Sequence, residues 1–132
     1  METYLKKTEK KTAKLFQTAI EGVIILSQKK DKKLAKEFGY NFGMAFQIRD
    51  DILNLKNIDD LKPSQNDIQN GIYTAPVIFS GQIDNLEIGF AKSQTLLSNY
   101  INTVTNAINN LPESIYKTAI IELLEILNDG KI

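Results

Sequence analysis

Asp50 and Asp51 stand side by side among the apolar residues Phe46, Ile48, Ile52 and Leu53. Two carboxylates about 5–6 Å apart repel by about 3 kcal/mol at an effective dielectric near 20. A fold tolerates such a pair where water screens it or a cation offsets it. At helical spacing Asn54 stacks over Asp50, and Gln47 lies one turn before Asp51. Together they form a patch of oxygen-bearing side chains on one helix face. Hard cations such as magnesium bind through one or two carboxylates, several waters and substrate phosphates, and the patch suits that arrangement. Taken alone, it also suits a solvated helix face. Lys11 and Thr12 upstream and Lys62 downstream add weight to the first reading. A lysine acts on phosphate as a point charge, so carboxylate–magnesium on one side and lysines on the other would clamp a diphosphate.

Composition narrows the chemistry. The 132 residues include no cysteine and no histidine. A disulfide framework, a thiolate metal site and an imidazole base are therefore excluded. Any metal must be held by oxygen, which favours magnesium, calcium or manganese. The longest strongly apolar run is Val23–Leu26, far short of the roughly 20 residues needed to cross a membrane. The opening METYLKK is followed by no apolar signal region, so the expected location is cytoplasmic.

The zero net charge hides an asymmetry. Residues 1–49 hold eleven Lys/Arg against five Asp/Glu, and residues 50–132 hold five against eleven. A basic first segment could meet a phosphorylated ligand, an acidic surface or nucleic acid. Lys29–Lys30 and Lys32–Lys33 also read simply as solvated helix faces. No aromatic platform interleaves with the lysines, which argues against single-strand nucleic-acid binding.

The elements that must position these residues are helical throughout, and the chain reads as one all-α domain over residues 1–132. A first helix is expected over about Thr3–Gln28, with Leu15, Ala19, Gly22, Val23 and Leu26 along one face. Asp31 is a plausible N-cap for a second helix reaching about Asn57, whose stripe is Leu34, Phe38, Phe42, Ala45 and Ile52. Gly39 and Gly43 sit four apart on it. Each weakens a helix by about 1 kcal/mol, so the pair predicts another helix packed close. Residues 58–73 read as a loop. A short helix follows near Thr74–Pro76, and Asp84 with Glu87 could form a capping box for a helix to about Asn110. Pro112 and Glu113 open a last helix that stops at Asn128-Asp129-Gly130.

At three places the sequence resembles the trans-isoprenyl (polyprenyl) diphosphate synthase family. TYLKKTEKKTAKLF at Thr3–Phe16 is similar to its segment with a Lys-Thr pair. FGYNFGMAFQIRDDILN at Phe38–Asn54 resembles its Phe-Gln and second aspartate-rich motif. LKPSQNDIQNGIYTAP at Leu61–Pro76 resembles the loop that follows. Asn110–Ser114 is similar to the family's last interhelical turn, a more generic match.

The three motifs stand in the family's order, and the resemblance covers the C-terminal part of a complete enzyme. It implies packed antiparallel helices of the isoprenoid synthase fold around an apolar cavity. It also implies an allylic diphosphate held by Mg2+ bridging two aspartate-rich motifs, ionisation, and condensation with isopentenyl diphosphate. By residue, Asp50, Asp51 and Asn54 would be magnesium ligands, while Lys11, Thr12, Gln47 and Lys62 would contact or orient the diphosphate. No catalytic residue is assigned.

Several positions depart from the family. Asn54 stands where aspartate is usual, Ile72 where a second lysine is usual, and Leu61 where glycine is usual. The stretch from Val77 to Glu87 is shortened. The first aspartate-rich motif and the isopentenyl-binding basic residues belong to an N-terminal half outside this sequence. The expectation is a truncated or split prenyltransferase, inactive in isolation, that acts on isopentenyl diphosphate only when that half completes it. The alternative is a catalytically decayed relative serving as a helical oligomerisation or interaction module. Either way, an unpartnered apolar face implies a homodimer or heteromer.

Overall fold

The computed structural model describes residues 1–28, 31–56, 73–81 and 86–129. The chain begins as one long helical rod: α1 (Glu2–Thr8), a π-helical turn (Glu9–Ala13) and α2 (Lys14–Leu26) follow without a break. A left-handed Gln28 (φ 57°) turns the chain away from α2. Next come α3 (Lys32–Lys56), α4 (Ala75–Ser80), α5 (Leu86–Asn109) and α6 (Ile115–Asp129), with no strand among the described residues. Every expected helix is present. The expected loop at 58–73 and the capping residue Asp84 fall outside the described residues, apart from Tyr73.

Helix α3 is the hub, packing on α2, the π turn, α4, α5 and α6. Its Phe42, Ala45, Ile48 and Ile52 meet Leu97, Ile101, Val104 and Ile108 of α5 and Leu124 and Leu127 of α6. Its neighbours run antiparallel where contacts define direction. Gly39 faces Gln17 while Gly43 faces Ala13, so α2 and α3 run in opposite senses. Asn128 meets Gln94 and Ser98, and Lys117 reaches back to Asn109, so α5 and α6 do too. Phe16 is wedged between Phe42 and Phe46, with ring centroids 5.2 and 5.4 Å apart, a favourable aromatic separation.

Two expectations change. The residues of the long first helix that face the core are Tyr4, Thr8, Ala13 and Gln17, not the apolar stripe. Leu15, Val23 and Leu26 are 71%, 64% and 85% exposed. The five-residue step from Thr8 to Ala13 is the π turn itself. It rotates the buried face relative to a 3.6-residue repeat, which leaves the apolar stripe facing outward. The last helix starts at Ile115 rather than at Pro112, because the Ser114 hydroxyl caps it, accepting from the Lys117 backbone N–H at 3.1 Å.

Candidate functional site

The π turn and the middle of α3 meet at one hydrogen-bonded chain. The Thr12 hydroxyl donates to Gln47 Oε1 at 2.7 Å. Gln47 Nε2 then donates to Asp50 Oδ2 at 3.2 Å and to Asp51 Oδ1 at 3.1 Å. Carboxylates only accept, so the Gln47 amide has one orientation that serves all three partners. One glutamine thus holds both aspartates and joins them to the segment carrying Lys11 and Thr12. π turns inside helices recur at functional sites, and this one lies on the Lys-Thr pair.

The two aspartates differ sharply. Asp50 is exposed, whereas Asp51 is buried. Successive helical residues point about 100° apart, so a pair on a helix half-covered by neighbours divides between water and interior. Asp51 Oδ2 accepts from the Tyr4 hydroxyl at 2.7 Å and from the Ala75 backbone N–H at 3.0 Å. That N–H is the first of α4, which lacks an intrahelical partner, and Asp51 satisfies it from another element. Thr74 holds the extended N-cap backbone (φ −81°, ψ 162°) and Pro76 sits in the first turn, as its fixed φ favours. Burial, and then the Asp51 charge, push the Tyr4 hydroxyl far above its ordinary pKa, so it stays a proton donor.

Lys11 and Asn54 are exposed, and Asn54 lies one turn beyond Asp50 on α3. Lys62 lies outside the described residues. A cavity of about 240 Å³ lined by Met1, Thr3, Tyr4, Lys7, Tyr73 and Ile78 adjoins Tyr4. A larger groove of about 670 Å³, between Asp31–Glu37 and Thr103–Leu111, shares no residue with the site.

Among the described residues no three His, Cys, Asp or Glu side chains gather as an all-protein metal cage would require. The donor set does fit magnesium in its substrate-borne form. Asp50 offers an exposed carboxylate and Asn54 an exposed amide oxygen, leaving the other positions to water and phosphate. Asp51 fits less well, since both its oxygens already accept hydrogen bonds. The structure therefore brings Thr12, Gln47, Asp50 and Asp51 together, with Lys11 adjacent in sequence. Sequence reasoning missed Tyr4 and the Ala75 N–H. The one signal for Tyr4 was its position two turns before Lys11, on the face that Thr8 shares.

The sequence matches the polyprenyl synthetase family over residues 1–119. The chain belongs to that family. Among curated relatives, the chain is 30% identical to solanesyl diphosphate synthase 3 of Arabidopsis thaliana. That alignment covers 86% of this chain and 34% of the relative. The all trans-polyprenyl-diphosphate synthase of Mus musculus is 39% identical over 60% of this chain and 20% of its own length.

In three dimensions the chain superposes on the apo Arabidopsis medium/long-chain prenyl pyrophosphate synthase with a TM-score of 0.81 at 28% identity. It covers 98% of this chain and 55% of that one. The Staphylococcus aureus heptaprenyl diphosphate synthase, at 24% identity and the same TM-score of 0.81, shares the fold. The all-helical architecture is thus that of the isoprenyl synthases. The chain spans 34% or less of the two curated relatives above and about half of the solved ones.

Proposed function

We propose that this chain forms the second aspartate-rich half of a polyprenyl diphosphate synthase site, binding the Mg2+-diphosphate head of an allylic substrate. The observation that carries the reading is the Gln47 amide, which ties Thr12 to both Asp50 and Asp51. A polar chain of that length across two helices costs desolvation, and packing alone does not require it.

In this reading Asp50 and Asn54 are the residues that would hold magnesium, while Asp51 orients Asp50 through Gln47. When bound, magnesium supplies charge neutralisation for the departing diphosphate. Lys11 and Lys62 orient the diphosphate, and their positive charge favours its loss in the transition state more than its binding in the ground state. The Thr12 hydroxyl, whose one proton is held by Gln47 Oε1, acts on the site through Gln47. Condensation with isopentenyl diphosphate needs the basic residues and the first aspartate-rich motif of the family's N-terminal half.

Calorimetry with Mg2+ and an allylic diphosphate tests the site. Asp50→Ala and Lys11→Ala should each weaken affinity about tenfold or more, as expected for hydrogen bonds to charged groups. Unchanged affinity in both variants would mark the site as vestigial. The chain alone should incorporate no radiolabelled isopentenyl diphosphate; incorporation would show that it needs no partner half.

A second reading is favoured by the outward Leu15, Val23 and Leu26 of α2: an interaction module whose apolar helix face docks on another polypeptide. A monomer in light scattering at high concentration counts against it.

A further inference from the structure

We infer that Tyr4 is a positioning residue for this site, fixing through Asp51 and Gln47 the carboxylate that Asp50 presents to a magnesium-bound diphosphate. The inference rests on the reading of the site given above and adds to it a residue of the Thr3–Phe16 segment to which that reading gives no role.

The geometry is a two-point clamp between antiparallel rods. Tyr4 of α1 donates to Asp51 Oδ2 at 2.7 Å, and Thr12 of the π turn donates to Gln47 Oε1 at 2.7 Å. Gln47 and Asp51 are one turn apart on α3 and bonded to each other at 3.1 Å. The loop of contacts therefore closes: α1 to Asp51, Asp51 to Gln47, Gln47 to the π turn, and the π turn back to α1. Lys11 stands inside that closed loop in sequence, and Asp50 hangs from it by the 3.2 Å bond to Gln47.

What Tyr4 contributes is a hydroxyl rather than bulk. The ring belongs to the apolar core with Phe42 and Ala45, and phenylalanine would fill the same space. The hydroxyl is needed because Asp51 is buried and, among the described residues, Oδ2 accepts from two donors, Tyr4 and the Ala75 N–H. Without Tyr4, that oxygen depends on the N-terminus of α4, a helix of six residues. The Asp51 carboxylate then gains freedom to rotate and its Oδ1 leaves Gln47. The Gln47 amide is no longer divided between two carboxylates, and Asp50 loses its fixed direction.

The test uses the 132-residue chain, Mg2+ with inorganic diphosphate as the probe, and Tyr4→Phe beside Asp50→Ala. Tyr4→Phe should weaken diphosphate binding about 3- to 10-fold, the range of one ordinary hydrogen bond, because Tyr4 reaches the diphosphate only through Asp51 and Gln47. It should also shift the Gln47 side-chain amide resonances in a nitrogen-15 spectrum while those of α5 and α6 backbone amides stay in place. A merely structural role would move the backbone spectrum generally and leave no selective Gln47 signature.

Unmoved Gln47 resonances in a folded Tyr4→Phe protein overturn the inference. So does unchanged affinity in Tyr4→Phe where Asp50→Ala loses binding. Should wild type fail to bind the probe, the diphosphate reading falls, and the Gln47 resonances alone still decide for or against positioning by Tyr4. Should Tyr4→Phe fail to fold, wild type decides. The Asp51 carboxyl carbon must then show a hydrogen-bond isotope shift when the Tyr4 hydroxyl is deuterated, and its absence overturns the inference.

Discussion

Gly43 of α3 lies against the backbone of Ala13, so close that a Cβ at position 43 would stand 2.6 Å from the Ala13 Cα. One turn earlier, a Cβ at Gly39 would stand 2.6 Å from the Gln17 Cα. Both obstacles are backbone, which cannot swing aside as a side chain can. Gly43→Ala should therefore destabilise the protein by about 1–3 kcal/mol, despite alanine's helix-propensity advantage of about 1 kcal/mol. Gly22, on α2, meets nothing within 4 Å, so Gly22→Ala should stabilise by about 0.5–1 kcal/mol. Urea denaturation of the two variants measures both, and like signs would contradict the close approach.

The glycine pair shows how far the sequence alone reached. Two glycines in register on a helix predict a close neighbour, and one is there. The apolar residues Leu15, Val23 and Leu26 were legible as a helix face, but their side was not. The buried side is set by a five-residue π step that a 3.6-residue pattern cannot encode, and polar Thr8 and Gln17 carry it. At the site, the identity of Asp50, Asp51, Gln47 and Thr12 was legible from type and spacing. The division between an outward Asp50 and an inward Asp51 was not. It depends on Tyr4, 47 residues away in sequence, and on a backbone N–H of α4. Contacts across that separation leave no local pattern.

Lys117 is only 6% exposed, although lysine is seldom buried. Its Nζ donates to the Asn109 carbonyl at 3.0 Å, the Leu111 carbonyl at 2.9 Å and Glu113 Oε1 at 2.6 Å. Asn109 is the last residue of α5 and Leu111 lies two residues beyond it, where backbone acceptors lack helical partners and positive charge is favoured. Lys117→Met keeps the aliphatic stem and removes the donors, and should cost about 1–3 kcal/mol. Glu113 is 83% exposed on its side chain, so Glu113→Ala should cost under about 0.5 kcal/mol. Thermal unfolding that ranks these two the other way would mean that the ion pair, rather than the carbonyl cap, matters most.

Tyr100 gives the protein an alkaline edge. Burial, followed by the neighbouring Tyr40, pushes its hydroxyl up to about 12 from an ordinary 10.0. Burial and then Glu9 push Tyr40 up as well. Between pH 10 and 12 the folded chain holds a Tyr100 proton that the unfolded chain has released. Stability is therefore fully present below 10, falls as pH rises through that window, and is lost above it. Denaturation midpoints followed upward from about pH 9 should drop, and Tyr100→Phe should drop less steeply. Equal slopes would show that Tyr100 titrates alike in both states.

The outward face of α2 separates stability from association. Leu26 is 85% exposed and Leu15 71% exposed, so neither contributes much to this chain's own core. Leu15→Glu and Leu26→Glu should each change unfolding free energy by less than about 0.5 kcal/mol. Leu97→Ala, at a position 1% exposed in the α3–α5 interior, should cost about 2–5 kcal/mol. If α2 docks on another polypeptide, whether the family's N-terminal half or a second copy, the two glutamates should abolish that association while leaving the fold intact. Each would otherwise bury an unpaired carboxylate in an apolar contact. Sedimentation of wild type and the double variant, with and without a co-expressed N-terminal half of a related synthase, reads the difference directly. Association that survives both glutamates would move the interface off α2, towards the exposed Ile115, Tyr116 and Leu123 of α6.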